Sequence, residues 1–420
     1  MSGTGVPGGL AGWLDRIGSL VAGVGRESDD RPAAARALLG GVAEPGDGLM
    51  GTFVEAFGAD GLADLLLAAR DGSALVRAVG DSGIAVRPKA LEEGIARWMP
   101  RLHLPSAERA LAQAGRIGAR LVLPTDEAWP TGLDDLGAHA PLALWVRGDP
   151  AALRGTGPAI AVVGARAATG YGEHVTAELA AGLSDRGFTI VSGGAYGIDG
   201  MAHRAVLGSG GTTVAYLAGG VDRFYPAGHE QLLTRITASG ALASEVPCGA
   251  APTRWRFLQR NRLIAASSAA TVVVEAGWRS GSLNTAGHAA SLGRPLGAVP
   301  GPVTSAASAG CHRLLREYDA VCVTDADQVA ELVGASASIG IGGGRTDAVP
   351  PDGPADAGGP QARPAPDAVR VLDALSRRSA REIDDVARRS GLDPRRVMGI
   401  LGTLEAEGRA ARRESGWLAR

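Results

Sequence analysis

Apolar positions along the chain change their period more than once. Between about Pro32 and Leu121, runs such as ARALLGGV, FVEAFGADGLADLLLAAR and LEEGIARWM place apolar residues three and four apart, with Gly and Pro as breaks. This spacing predicts a small helical domain over 31–120, of the SAM or helix-hairpin-helix type. Beyond GARLVLP the text turns into short continuous apolar runs, each followed by a helical stretch: AIAVVG (159–164), FTIVS (188–192), TTVAYLA (212–218), ALAS (241–244), TVVVE (271–275) and LGAVPG (296–301), with AVCVT (320–324) as an edge. Continuous rather than alternating runs mean strands covered on both faces, hence a parallel sheet with crossover helices. The fold class is α/β, an extended Rossmann-like doubly wound parallel sheet over 121–333. The Gly-rich first 30 residues predict disorder. Residues 334–366 are rich in Gly, Ala and Pro without apolar periodicity and predict a flexible linker. Over 367–420, three short helical patterns, a Gly-Leu-Asp-Pro turn before the third and a strand pair around Gly408 to Leu418 predict a C-terminal winged-helix domain.

With 420 residues and 45 % of them apolar, the chain has enough material for a real core in two or three domains, which excludes wholesale disorder. The formal charge is −2, so any nucleic-acid binding must come from a local basic patch. Lys89 is the only lysine and Arg supplies nearly all positive charge, and guanidinium forks can hold phosphates bidentately. Cys248, Cys311 and Cys322 form no C-x-x-C, which argues against a zinc ribbon or a secreted disulfide framework and fits a reduced cytoplasm. No signal-peptide pattern and no run of eighteen uncharged apolar residues is present, so neither export nor membrane insertion is expected.

In a doubly wound sheet the ligand lies at the carboxyl ends of the strands, where loops turn into helix N-termini. After the first strand of the sheet comes VVGARAATGYGEH, with Gly164 at the turn, Gly170 and Gly172 allowing close approach and Arg166 projecting. It is neither G-x-G-x-x-G nor a Walker loop, so it reads as a generic anion loop, or as glycines that only shape a turn beside a solvated Arg166. SGGAYGIDGMAH sets Ser192, Gly193 and Gly194 before Asp199 and His203. Capping and core hydrogen bonding account for these better than a hydrolase triad, since no G-x-S-x-G elbow is present. AGGVDRFYPAGH places Gly219 and Gly220 at a strand end with Tyr225-Pro226 as a rigid shoulder, while Ser280, Gly281, Ser282 and Thr285 open a helix after Glu275. In RWRFLQRNRLIAASS, Arg254, Arg256, Arg260 and Arg262 supply charge and Trp255 and Phe257 flat surfaces for base stacking. A helix beginning near Phe257 would turn Leu258, Leu263 and Ile264 inward. The alternative is an amphipathic helix whose arginines are paired to acids.

The series AVVGARAATGYG, SGGAYGIDGMAH, LAGGVDRFYP, Ser244-Glu245, F-x-x-R-N-R at Phe257 to Arg262, VVEAGWRSGSLNTA and AVPG resembles, in order, the motifs of the DNA processing protein A (DprA/Smf) family. The resemblance covers roughly residues 120–333. It implies a cytoplasmic, non-enzymatic protein that binds and protects single-stranded DNA, assists RecA loading in natural transformation and recombination, and dimerises through the Rossmann-like domain, with no cofactor, metal or catalytic residue. By motif, Arg166 would meet a phosphate, Arg254 would hold the basic position three residues before Phe257, and Phe257 would stack on a base. Arg260, Asn261 and Arg262 would shape the same pocket. The nucleic-acid-binding set also takes in Gly164, Gly170, Ser192, Gly193, Gly219, Ser280, Gly281, Ser282 and Thr285. Ala165 in place of Thr or Ser, Leu258 in place of Pro, and Ala195-Tyr196 in place of a small residue and a base depart from the family pattern.

Two other readings compete. A nucleotide phosphoribohydrolase-like enzyme of a related fold would draw on Glu245 and Glu275, although S-G-S-L-N-T stands where those enzymes carry P-G-G-x-G-T and a Glu. A winged-helix transcription factor would read duplex DNA with residues 367–420, where twelve Arg face nine acids.

Overall fold

Six helices precede the sheet in the computed structural model, which describes residues 9–69, 71–338 and 365–420. They are α1 (Gly9–Gly23), α2 (Arg31–Val42), α3 (Gly48–Ala68), α4 (Ser73–Ser82), α5 (Pro88–Trp98) and α6 (Leu104–Arg116). The first corrects the expectation of disorder over 1–30. Leu10, Trp13, Leu14, Ile17 and Val21 recur three, one, three and four residues apart, a buried stripe that the surrounding glycines obscure in the sequence. Trp13 also donates its indole N–H to Glu108 at 2.9 Å, tying α1 to α6. Residues 1–8 lie outside the described residues.

The sheet has nine strands: β1 (Arg120–Val122), β2 (Leu144–Gly148), β3 (Ala159–Val163), β4 (Thr189–Ser192), β5 (Thr213–Tyr216), β6 (Ala241–Ser244), β7 (Ala270–Val273), β8 (Leu296–Ala298) and β9 (Val321–Cys322). Their order is β1-β2-β6-β5-β4-β3-β7-β8-β9, parallel from β6 to β9 and antiparallel for the β1–β2 and β2–β6 pairs. The seven parallel strands fall where the continuous apolar runs predict them. The antiparallel strands β1 and β2 add to the predicted parallel set; they are joined without a crossover helix, which lets them pair antiparallel at the β6 edge. The connecting helices are α7 (Gly170–Asp185), α8 (Ile198–Gly208), α9 (Glu230–Ser239), α10 (Arg254–Ala266), α11 (Ser282–Ser291), α12 (Ala309–Glu317) and α13 (Ala326–Ser338).

Alternate residues of one strand feed two cores, as pleating requires. Ile160 and Val162 pack with Leu179, Ile198 and Val206 on one face. Ala161 and Val163 pack with Leu263, Ile264 and Ala286 on the other. The helical region is not a free-standing body: its core is continuous with Ala215, Leu217, Leu233 and Leu242 of the sheet region. Strand order reverses between β3 and β7, which places the ligand crevice of such a sheet at the loops that leave those strands.

The predicted linker lies mostly outside the described residues, and α13 runs into it as far as Ser338. The C-terminal unit comprises α14 (Pro366–Ala374), α15 (Ile383–Ser390), α16 (Pro394–Ala406) and the hairpin β10 (Ala410–Arg413) with β11 (Gly416–Ala419). The Gly-Leu-Asp-Pro turn works as its residue types require: Gly391 ends α15 at φ 64°, and Asp393 caps α16 by accepting from the amides of Arg395 and Arg396. The unit has a core of its own around Val371, Val386, Val397, Leu401 and Trp417.

Candidate nucleic-acid interface

All seven parallel strands present their carboxyl ends to one edge, so the loops after β3, β5 and β6 converge there. The loop after β3 carries Arg166, that after β5 carries Tyr225, and the chain after β6 enters α10, whose first turns carry Arg254 and Phe257. The guanidinium of Arg166 lies 5.0 Å over the Phe257 ring, and that of Arg260 lies 5.8 Å from it. The Tyr225 ring packs against Phe257 at 5.5 Å and 54°. Phe257 is half-buried, while Arg166 and Tyr225 are exposed. One solvent-facing cation therefore rests on an aromatic pair at the open edge of the sheet.

Beneath this surface the charges are fixed. Arg260 is buried and donates to the carbonyls of Gly193 (2.7 Å) and Tyr216 (2.6 Å). Burial lowers its pKa to about 10, Asp199 opposes that shift and Arg166 adds to it, so the group remains a cation at neutral pH. Asp199, also buried, accepts from the amide of Gly193 at 3.1 Å. Burial raises its pKa, and Arg260 and Arg166 pull the other way. Two guanidinium groups thus act on Asp199, and of the two only Arg166 reaches water.

The other residues singled out in the sequence divide clearly. Gly170 and Gly281 are exposed, and a Cβ at either would meet open space. Gly164 and Gly219 are shaped by packing instead: a Cβ at Gly164 would press on Ile198 and Glu275, and one at Gly219 on Pro252 and Ala250. Ser192 is buried and donates to Val162 O at 2.7 Å, and Gly193 backs onto Arg260. Asn261 donates to Gly281 O and Asn284 Oδ1. Arg262 forms a two-pronged pair with Glu245, at 2.7 and 2.8 Å, and also donates to His139 O. Thr285 and Ser282 are buried, Ser280 is half-buried, and the two serine hydroxyls meet at 2.7 Å. Arg260, Asn261 and Arg262 are therefore internal struts of α10: each is buried and bonded to the protein's own groups, although the Nε of Arg260 has no partner. Only Arg166 and Arg254, with parts of Phe257 and Ser280, face outward among the side chains expected to touch DNA.

Four expectations are corrected. The loop before α7 does not leave a vacant anion seat: Glu275 accepts from the amide (2.9 Å) and hydroxyl (2.6 Å) of Thr169, filling the strand-reversal crevice with the protein's own carboxylate. The arginine helix begins at Arg254, not near Phe257, because Thr253 caps it by accepting from the Arg256 amide, and Leu258 consequently points to solvent while Leu263 and Ile264 are buried. Trp255 is not an open stacking surface, since the Arg370 guanidinium of α14 lies 5.2 Å over one of its faces. Of the expected capping and core hydrogen bonding only the second is seen: Asp199 lies inside the first turn of α8, whose N-cap is Gly197 with no side-chain bond, and accepts from the Gly193 amide, while His203 bonds to Thr213 Oγ1 at 2.7 Å, so Ser192, Asp199 and His203 form no triad. Tyr225, read in the sequence only as a shoulder, proves to be a wall of the aromatic pair. Its signal was an aromatic residue in a Gly-rich loop directly after a strand.

Burial also governs two histidines. The His203 imidazole is pushed down to about 3 by desolvation, with His229 and Arg260 adding to the shift, and His288 is pushed down to about 4 by desolvation and Arg262. Both are neutral in the folded chain where the unfolded chain, with an ordinary histidine pKa near 6.5, takes up protons. Stability is thus unaffected by these groups above about pH 6.5. It falls as the pH drops from there toward 4, by about 1 kcal/mol per pH unit for each histidine. Asp199 works in the opposite direction, one proton against two, because its raised pKa favours the folded state as the pH falls. Urea midpoints at pH 7 and pH 5 check this, and an unchanged midpoint would refute it.

Known proteins carry the same organisation. The family model described as DNA recombination-mediator protein A matches residues 120–334, and the DprA winged helix domain matches 354–416. A putative DNA processing protein DprA from Mycobacterium tuberculosis is 48 % identical over 359 residues, covering 82 % of this chain and 89 % of that protein. The DNA processing protein DprA of Streptococcus pneumoniae is 36 % identical over 207 residues, 49 % of this chain and 72 % of the relative. The X-ray structure of DprA from that organism superposes with a TM-score of 0.57 at 28 % identity, covering 70 % of this chain and 95 % of that one. One family model spans the whole nine-stranded sheet and a second the three helices of the C-terminal unit and β10, and a relative matches most of both lengths: the chain belongs to the DNA recombination-mediator protein A family.

Proposed function

We propose that the protein binds single-stranded DNA along the carboxyl edge of its sheet, holds it without covalent chemistry, and helps place RecA on it during recombination and natural transformation. The observation that carries this reading is the exposed Arg166 guanidinium over the Phe257–Tyr225 pair. A cation for the phosphate beside a flat ring for the base is the pairing that grips a single strand without reading its sequence, and a duplex keeps its base faces stacked away from such a ring. Arg254, exposed at the start of α10, supplies a second cation along the same edge. The two glutamates that an enzyme would need are occupied, Glu245 by Arg262 and Glu275 by Thr169, which argues against phosphoribohydrolase chemistry.

The RecA step, the cytoplasmic setting and a homodimer through the Rossmann-like domain rest on family membership. The open strand β9, paired only with β8 and exposed at both residues, is compatible with such a dimer. Among the described residues no helix is long and apolar enough to cross a membrane.

Fluorescence anisotropy of a labelled oligonucleotide, single-stranded against duplex over a salt series, tests the reading. Single strands are expected to bind more tightly, with log affinity falling against log salt by about 0.7 per phosphate engaged. Preference for the duplex would move the function to the winged helix. Sedimentation of the same sample, with and without RecA, reports the dimer and the contact.

A further inference from the structure

The first turn of α10 is where the proposed strand would find Arg254, and there the protein already holds an anion of its own. Thr253 accepts from the Arg256 amide, which leaves the Arg254 amide pointing out of the helix. That amide donates to Asp373 Oδ2 of α14 at 2.6 Å, and the Arg254 Nε lies 3.9 Å from Asp373 Oδ1. Arg254 is 79 % exposed along its side chain and Asp373 17 %, so the carboxylate is the seated partner and the arginine the open one. One turn earlier on α14, Arg370 covers the Trp255 ring. A carboxylate and a guanidinium of the winged-helix unit thus occupy the amide and one face of the ring that α10 would offer to a nucleotide, and the carboxylate lies beside its cation. The unit has a core of its own, so its own fold does not depend on this docking.

From this we infer that the winged helix is a built-in competitor of the single strand: Asp373 stands in the place of a phosphate, and seating the strand along Arg254 and Trp255 releases the unit from α10. The inference rests on the single-strand reading above. The single N–H of the Arg254 amide cannot serve both anions, so strand binding and docking are linked, and each weakens the other by the same factor. In the free protein the docked unit masks one end of the binding edge, while Arg166 and Phe257 remain open.

The test uses the full chain and a labelled oligothymidylate at fixed salt, with wild type, Asp373→Ala, and Asp384→Ala as a control that removes the same charge from an exposed position of the same unit. Asp373→Ala is expected to bind at least about fivefold more tightly than wild type, the low end of measured couplings between sites, with Asp384→Ala within about twofold. Energy transfer between a dye on the exposed Cys322 and one on Gly402→Cys, an open position on α16, is expected to change when the strand saturates the wild type and to be already changed in Asp373→Ala without it. If wild type binds single strands and Asp373→Ala behaves as Asp384→Ala does, or if saturation leaves the transfer as it was, the competition is overturned and the single-strand reading stands. If neither wild type nor Asp373→Ala binds single strands, that reading falls and the competitor falls with it. Binding by Asp373→Ala alone would support both.

Discussion

Replacing Glu44 by alanine lowers the unfolding free energy by about 3–5 kcal/mol, the largest single-residue loss expected outside the apolar core. Glu44 follows α2, and its buried carboxylate accepts from Arg256 of α10 through two bonds, Nη2 at 2.8 Å and Nε at 3.2 Å, and pairs with Arg101 after α5 at 2.7 Å. These arginines, with Arg370 of the winged helix close enough to add to the field, hold its pKa down at about 2 against the desolvation that would raise it. The pair is therefore ionised at any pH the protein meets. Its contribution is full above the ordinary carboxylate pKa and disappears only as the pH falls toward 2. Alanine leaves two guanidinium groups buried without their counter-charge, which costs more than the pair itself contributes. Glu44→Gln keeps an acceptor oxygen and is expected to lose less. Urea unfolding followed by tryptophan fluorescence checks the order wild type, Gln, Ala; equal midpoints for wild type and Ala would show that water reaches the site and screens it.

That site also shows what the sequence could and could not disclose. The parallel strands were legible because each is a continuous apolar run, and a strand covered on both faces leaves that mark whatever its neighbours are. The winged helix was legible because Gly391, Asp393 and Pro394 punctuate it with residues whose backbone and capping roles are local. Helix α1 was hidden since its glycines are what composition registers, although the stripe from Leu10 to Val21 was present. The fates of the arginines in α10 were not legible at all. Arg254, Arg256, Arg260 and Arg262 look alike in the text, but their partners lie 119, 212, 67 and 17 residues away, respectively, in Asp373, Glu44, Gly193 and Glu245. Long-range pairing decides which cation is a strut and which is free, and pairing at such separations leaves no periodic trace. The same holds for Glu275: a carboxylate at a strand end reads as a candidate base until Thr169 is seen bonded to it.

Replacing Phe257 by alanine weakens single-strand binding by about 1–3 kcal/mol, roughly 5- to 150-fold, with little change in the salt slope. Stacking is a contact between neutral faces, so its loss leaves the number of released counterions as it was. Arg166→Ala does the reverse: the slope against log salt flattens by about 0.7, one phosphate contact, because the residue is the exposed cation of the edge and the buried Arg260 cannot replace it. The two side chains touch, the guanidinium 5.0 Å over the ring, so the double variant is expected to lose less than the sum of the single losses. Without the ring, Arg166 loses its resting surface and enters the complex less ordered; without the cation, the base is held at only one end. Phe257 is half-buried and α10 is anchored by Arg256, Arg260 and Arg262, so the fold survives the ring's removal, and an unchanged urea midpoint separates lost binding from lost structure. Strict additivity of the two losses would mean that ring and cation meet different nucleotides, which would place the strand across the Tyr225 loop rather than along α10.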